Sequence, residues 1–287
     1  MEPIEDVRPS PIAGQWYTSD PRRLAAQVDQ YISNAKLPEI AGKVIAIMAP
    51  HAGHRYSGPV AGYAFAALRD LKPEVVAVVS PMHYPYAEPL LTTAHLAYAT
   101  PLGTIQVDTN ALEQIDQQLM KEIGLGLTRV YHDPEHSLEI ELPFLQRALA
   151  NPFKLIPIMV RDQSEALTQK LGQTLAHILD KRNALLVAST DLSHFYTQAA
   201  AKKLDTEMLR QVEAFDPHGV IQAEEKGKGF ACGRGALASV MWAARSLGAD
   251  RAVVLNYATS GDVTGDFNQV VGYGAAVFTS SMANSVN

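Results

Sequence analysis

Histidine and aspartate residues follow three short apolar segments of this 287-residue chain. VIAIMAP is followed by His51, VVAVVSPM by His83, and LLVAST by Asp191, with His194 three residues later. In an open α/β sheet, ligands bind beyond the carboxyl ends of the strands, so these side chains are expected around one crevice. Imidazole and carboxylate are the usual ligands of zinc and non-haem iron. The pattern predicts a metal site, although any one of these residues alone is more typical of a turn or a helix cap.

A second concentration of ionisable residues lies in the segment HDPEHSLEIELPFLQ. His136 and Glu139, three positions apart, would share one face of a helix for which Ser137 is the cap. One interpretation makes His136 or Glu139 an acid/base, or a residue that orients a metal ligand. The other is a solvated first helical turn, with carboxylates at the positive end of the helix dipole. The sequence leaves both interpretations open.

The only cysteine, Cys232, precedes an apolar helix in the segment FACGRGAL. A thiol at a helix N-terminus beside Arg234 is expected to have a lowered pKa, which would make it a better metal ligand or nucleophile. A free cysteine is equally common as a small core residue. One cysteine excludes an intrachain disulfide and a zinc site built from several thiolates. No GxSxG segment is present, which argues against an ordinary serine hydrolase.

Strands and helices that alternate along the whole chain must position these residues. Segments such as VVAVVS and ALLVAS are apolar at nearly every position, which is typical of strands covered on both faces. The predicted helices include Val60–Leu71 and Leu138–Ala150. Strand–helix alternation favours an α/β fold with a mostly parallel or mixed central sheet between two helical layers. We predict one three-layer αβα domain over residues 1–287, with residues 1–7 and 279–287 as loose tails.

The composition excludes several classes of protein. A net charge of −6 without a basic stripe makes nucleic acid a poor candidate partner. The longest apolar stretches run about six to eight residues, whereas a membrane-spanning helix needs roughly 20. The N-terminal segment MEPIEDVRPS is acidic and lacks the pattern of a signal peptide. A cytoplasmic protein that does not bind membranes is therefore expected.

The chain resembles the Memo family, also known as protein B of the AmmeMemoRadiSam system. The resemblance rests on motifs that occur in order over nearly the whole chain: RPSPIAGQWYTSDPRRL, MAPHAGHRYSG, SPMHY, EHSLEIELPFLQ, STDLSHF, CGRGA and LNYATSGDVTGD. It implies a fold similar to that of the class III extradiol, or LigB-like, dioxygenases. It also implies metal ligands at His51, His83 and Cys232, with Asp191 and His194 as pocket residues.

Three functional hypotheses follow from the residues and the resemblance. The leading one is a non-haem iron, or copper, redox enzyme with a dioxygenase-like pocket, in which a thiolate replaces the carboxylate of the facial triad. Ring cleavage is not inherited from the fold. The second is a metal-independent module that captures a small molecule or peptide and works with radical-SAM and AMMECR-type partners. The third is a zinc hydrolase. The residues predicted to be catalytic are His194, Asp191, His136 and Glu139.

Overall fold

A nine-stranded mixed sheet forms the centre of the fold in a computed structural model that describes residues 6–281. The strands are β1 (Val7–Arg8), β2 (Lys43–Ala49), β3 (Val75–Pro81), β4 (Leu90–Thr93), β5 (Ala97–Thr100), β6 (Gly103–Gln106), β7 (Thr128–Val130), β8 (Lys154–Val160), β9 (Ala184–Ser189), β10 (His194–Tyr196), β11 (Arg251–Thr259) and β12 (Val270–Ser280). The helices are α1 (Pro21–Asn34), α2 (His54–Ala66), α3 (Thr109–Ile123), α4 (Leu142–Ala148), α5 (Glu165–Leu179), α6 (Gln198–Glu213), α7 (Pro217–Glu225), α8 (Arg234–Ser246) and α9 (Gly261–Thr264), and a 3-10 turn covers Glu139–Glu141.

The order of strands in the large sheet is β10-β12-β2-β9-β3-β8-β4-β7, with β11 paired to β12. The central strands β2, β9, β3 and β8 are parallel, whereas β12 and β4 run antiparallel to their neighbours β2 and β8. A separate small sheet joins β1, β5 and β6. Every residue of β3 is buried, as its continuous apolar sequence predicted. The predicted α/β fold with a mixed central sheet in a single domain is confirmed.

Helices pack against the sheet in two groups. α8 contacts β2, β3 and β9 and is backed by α5, while α2 contacts β2, β11 and β12 and is backed by α1. The small and apolar residues of α8 are buried from Gly235 to Met241, which lets this helix lie close to the strands. Within residues 6–281, no helix is both long enough and apolar enough to cross a membrane.

The sheet places three of the predicted site residues at one edge. β9 lies between β2 and β3 and is parallel to both, so the carboxyl ends of these three strands meet. His51 follows the end of β2, His83 follows β3, and Asp191 follows β9. The backbone N–H of Thr190 donates to the carbonyl of Ala49 at 2.9 Å, which holds the ends of β9 and β2 together.

Two predicted boundaries are wrong. Val7 pairs with Ala97, and Thr279 pairs with Val44, so these residues belong to strands rather than to loose tails. Their backbone groups complete sheet ladders, which a pattern of side chains does not reveal. Residues 1–5 and 282–287 of the predicted tails lie outside the described residues.

Two predicted helices also begin elsewhere. The helix after the first histidine begins at His54 instead of Val60, because Gly53 takes the N-cap position directly behind the strand turn. The predicted helix from residue 138 to residue 150 is a 3-10 turn followed by α4, which ends at Ala148. Pro143 lies in the first turn of α4, where its missing N–H is tolerated. A proline deeper in one continuous helix would remove an internal hydrogen bond, which favours the observed break.

Candidate metal centre

Three imidazole rings meet beyond the ends of β2 and β3. His51, His83 and His136 each offer a ring nitrogen, and these nitrogens lie within 4.8 Å of one another. The ring of His136 stacks on that of His83, with centroids 4.8 Å apart, and lies edge-on to His51 at 5.5 Å. His51 is buried, whereas the side chain of His83 is 32% exposed. The cluster therefore opens to solvent on the side of His83.

Glu135 holds His83 and the turn that carries His136. Its buried carboxylate accepts hydrogen bonds from the backbone N–H and from Nδ1 of His83, at 2.6 and 2.9 Å. It also accepts from the backbone N–H groups of His136 and Ser137, at 3.0 and 2.9 Å. Burial alone would raise the pKa of Glu135, but the hydrogen bonds and the charge of the neighbouring histidines outweigh it and lower the pKa to about 2.

The ionised Glu135 also sets the tautomer of His83. A carboxylate only accepts hydrogen bonds, so Nδ1 of His83 must carry a hydrogen, and Nε2 is the ring nitrogen left to face a metal ion. Histidines that bind metals commonly donate their second ring N–H to a carboxylate in this way. The Glu135–His83 pair is thus the arrangement that a metal-binding histidine requires.

Two rings of the cluster, those of His51 and His136, favour the neutral form that a metal ligand needs. Burial lowers the pKa of His51 well below its usual value, and the neighbouring His136 and His83 lower it further. Burial also lowers the pKa of His136 to about 4, although the charge of Glu135 acts in the opposite direction. At neutral pH these imidazoles therefore keep lone pairs that can bind a metal ion.

Cys232 lies beside His51. Its Sγ is 3.1 Å from Nε2 of His51 and 3.6 Å from the carbonyl oxygen of Asp191. The expectation of a lowered pKa is wrong, because burial and the charge of Asp191 raise the pKa of this thiol well above its usual value. The guanidinium of Arg234 does not compensate, since it pairs with Glu224. The free protein therefore carries a thiol here, and a bound cation would favour the thiolate.

Asp191 and His194 lie next to this group. Oδ1 of Asp191 accepts hydrogen bonds from the backbone N–H groups of His51 and Ala52, at 2.7 and 3.3 Å. Burial raises the pKa of Asp191 to about 7, although these two bonds oppose the rise. Nδ1 of His194 lies 2.8 Å from the carbonyl of Leu192, and burial lowers the pKa of this ring. Asp191 thus supports the turn that carries His51.

Glu139 is not brought to the crevice. Its carboxylate accepts hydrogen bonds from Nη1 of Arg8 at 2.6 Å, from the hydroxyl of Tyr17 at 2.7 Å, and from Ser10. Arg8 makes a bidentate pair with Asp133 as well, with both distances 2.9 Å. The predicted helical face shared with His136 does not form, because His136 precedes the 3-10 turn. Glu139 is the buried counter-ion of Arg8, and its surroundings give no support to a pocket acid/base.

Four residues near the cluster received no role from the sequence. Glu135 and Glu141 were part of a dense acidic segment, but nothing in their spacing separates them from Glu139. Ser189 is the last residue of β9. Its position near His51 becomes evident only once β9 is known to pair with β2. Trp16 stacks on His136, with ring centroids 4.0 Å apart, although 120 positions separate them in the chain. Such long-range contacts leave no local signal in a single sequence.

His51 connects two sets of possible metal ligands, Cys232 on one side and the other two histidines on the other. Metal–nitrogen and metal–sulfur bonds are about 2.1 and 2.3 Å long, so Nε2 of His51 and Sγ of Cys232, 3.1 Å apart, can reach the same ion. The ring nitrogens of His51, His83 and His136 lie within 4.8 Å of one another, so these three residues are the side chains that would hold an ion on the other side of His51.

The geometry defines an α/β protein with a mixed sheet that carries a histidine–carboxylate cluster at the ends of its strands. The chain belongs to the family described as Memo-like protein, which it matches over residues 8–277. A MEMO1 family protein of Nitrosopumilus maritimus is 33% identical over 276 residues, which cover 95% of this chain and 99% of the relative. A MEMO1 family protein of Methanopyrus kandleri is 32% identical over 280 residues, with 93% and 97% covered. The family predicted from the ordered motifs is confirmed.

Among solved structures, an uncharacterized protein from Escherichia coli is similar, with a TM-score of 0.49 and 12% identity. The similarity covers 82% of this chain and 100% of that protein. The two MEMO1 family relatives share more sequence identity with this chain than the Escherichia coli protein does. Their alignments with this chain span nearly the full length of both relatives.

Proposed function

We propose that this chain is a metal-dependent redox protein whose crevice binds one ion through His51, His83 and Cys232. Iron is the first choice and copper the second. The observation that carries the proposal is the meeting of three ring nitrogens within 4.8 Å, with the Cys232 sulfur 3.1 Å from Nε2 of His51 and with Glu135 orienting His83. A thiolate beside two imidazoles is a donor set that favours iron or copper over magnesium or calcium.

The surrounding residues give this site access, shielding and proton exchange. The exposed side of His83 is the entrance for a small molecule or an extended peptide. Trp16 covers His136 and shields that side of the cluster from water. Asp191, with a pKa of about 7, and the neutral His194 are the groups that would take up or give up a proton. The bound ion would supply one-electron chemistry.

Metal content tests the proposal directly. The untagged protein is purified without oxygen, and its iron, copper and zinc are measured per chain. We expect about one iron per chain in the wild type and loss of the metal in His83→Ala and Cys232→Ser. Metal that stays at full stoichiometry in both variants would contradict the ligand set.

A zinc hydrolase is a second candidate, because the three closest ring nitrogens belong to histidines. His51, His83 and His136 are the kind of three-histidine set that holds a catalytic zinc with one open position. The two candidates differ in the residue that completes the site. Zinc that is lost in His136→Ala and kept in Cys232→Ser, together with esterase or peptidase turnover, would favour the hydrolase.

A metal-independent binding module is a third candidate, favoured by aromatic side chains at the rim. Phe195 is 69% exposed and Tyr196 is 44% exposed, and the ring of Phe195 lies 5.7 Å from that of His194. Exposed aromatic residues of this kind often anchor a protein or peptide partner. Radical-SAM and AMMECR-type proteins are the partners to test. Equal capture of such a partner by wild type and by His83→Ala would favour the module.

A further inference from the structure

The hydroxyl of Ser189 has three polar neighbours in the interior of the protein. Its Oγ lies 2.6 Å from the carbonyl oxygen of Ser137, 2.8 Å from Oε1 of Glu141 and 3.0 Å from Nδ1 of His51. All four residues are buried, with 0–1% of their surface exposed. The hydrogens in this group must therefore be shared among the four residues themselves.

The chemistry of the neighbours fixes the direction of each hydrogen bond. A serine hydroxyl has one hydrogen to donate and two lone pairs that accept. The carbonyl of Ser137 can only accept, so it takes the hydrogen of Ser189. Both remaining neighbours must then donate to Ser189. His51 donates through Nδ1–H, and Glu141 donates through a protonated carboxyl group.

The surroundings of Glu141 agree with a protonated acid. No cation pairs with this carboxyl group among the described residues, and its second oxygen, Oε2, has no hydrogen-bond partner. Burial raises the pKa of Glu141 well above its usual value; the hydrogen bond with Ser189 opposes the rise, and the nearby charge of Asp191 adds to it. A neutral acid is the form that costs least in such a place.

We propose that Ser189 and Glu141 are positioning residues that hold His51 in the Nδ1–H tautomer. This tautomer leaves a lone pair on Nε2, the atom that faces Sγ of Cys232 at 3.1 Å. In the metal-free protein, that lone pair accepts the thiol hydrogen of Cys232. With a metal ion present, the same lone pair binds the ion. The role in metal binding rests on the proposed function, but the tautomer is a property of the free protein.

Nitrogen NMR of the metal-free, ¹⁵N-histidine-labelled protein tests the tautomer, with the His51 signals assigned from His51→Gln. We expect Nδ1–H in the wild type and in Ser189→Thr, which keeps the hydroxyl. Glu141→Gln should keep it too, because the amide can still donate to Ser189. Ser189→Ala removes the acceptor and should shift His51 toward the Nε2–H form. An Nε2–H tautomer in the wild type, which requires no variant, would overturn the inference.

A metal titration shows whether the tautomer matters for binding. Cobalt(II) is added anaerobically to each protein, and the affinity is followed by absorption. Loss of a residue that orients a metal ligand commonly weakens binding by about 10–100-fold, which is the expected result for Ser189→Ala. Ser239→Ala is the matched control, since Ser239 is equally buried and bonds to the carbonyl of Gly235 in α8. Equal weakening in both serine variants would contradict the positioning role.

The two measurements separate the inference from the proposed function. The Nδ1–H tautomer in a protein that binds no metal would leave the inference standing and remove the metal-dependent function. Metal binding through His51 by a protein whose free form has the Nε2–H tautomer would support the proposed function and overturn the inference.

Discussion

Glu135 and Glu141 lie in one short segment and are both buried, yet their pKa values shift in opposite directions. Glu135 accepts three backbone hydrogen bonds and one from the ring of His83, and its pKa falls to about 2. Glu141 has one hydroxyl neighbour and one oxygen without a partner, and its pKa rises well above its usual value. Both side chains are buried, so the hydrogen-bond donors and the neighbouring charges, which are histidines at Glu135 and Asp191 at Glu141, explain the opposite shifts.

The two glutamates orient the two histidines of the crevice by different hydrogen bonds. The ionised Glu135 accepts directly from Nδ1 of His83, on the side that is open to solvent. The neutral Glu141 acts through Ser189 on His51, in the interior. A full negative charge beside His51 would have to be compensated in a dry environment, which is costly. A neutral acid reaches the same tautomer without that charge.

Removal of the Glu135 carboxylate is expected to have the largest effect. Glu135→Ala leaves three backbone N–H groups without an acceptor in the protein, whereas the ring of His83 is partly exposed and can turn to water. Each unsatisfied buried donor costs roughly 1–3 kcal/mol, so the free energy of unfolding should fall by about 4 kcal/mol. Urea denaturation measures this fall. Glu113→Ala, at an exposed position of α3, is the control and should stay within about 0.5 kcal/mol.

The low pKa of Glu135 predicts a defined acid dependence of stability. Its pKa is about 2 in the folded state against 4.5 for the free group, so the stabilisation is complete above pH 4.5. It is lost as the pH falls through 2, because protons bind the unfolded chain first. The difference corresponds to about 3 kcal/mol. Urea midpoints between pH 5 and pH 3 should fall less steeply in Glu135→Gln, and equal slopes would contradict the assignment.

Cys232 resembles Glu141, because this partly buried thiol lies near the charge of Asp191 and receives few hydrogen bonds. Each unit by which its pKa rises lowers the thiolate fraction tenfold. Iodoacetamide at pH 8 should therefore label the folded protein at least about tenfold more slowly than the urea-unfolded chain. Mass spectrometry follows the reaction at this single cysteine. Equal rates would show that the thiol is accessible and ionised.

The parts of the site that lie at strand ends could be predicted from the sequence. The apolar segments before His51, His83 and Asp191 mark strands buried on both faces, and parallel strands end at one edge. The ordered motifs then indicated the family. These features depend on local sequence or on a rule of topology, and both can be detected without coordinates.

The roles of the three glutamates could not be predicted, because they depend on distant residues. Glu139 pairs with Arg8, which is 131 positions away, and Glu141 meets Ser189, which is 48 positions away. The pKa of Cys232 was expected to fall because Arg234 is close in sequence, but Arg234 is engaged by Glu224. A charged residue that is close in sequence can form its ion pair with a different residue in the folded protein.

The smallest effect is expected for Glu141→Gln, and it gives the sharpest test of the comparison. An amide has nearly the shape of a neutral carboxylic acid and can donate the same hydrogen bond to Ser189, so the free energy of unfolding should change by less than about 1 kcal/mol. Glu135→Gln places an NH2 group among N–H donors and should cost about 2 kcal/mol or more. Urea denaturation of both variants at pH 7 compares them. A large loss in Glu141→Gln would show that this carboxyl group is ionised, and the contrast between the two glutamates would then fail.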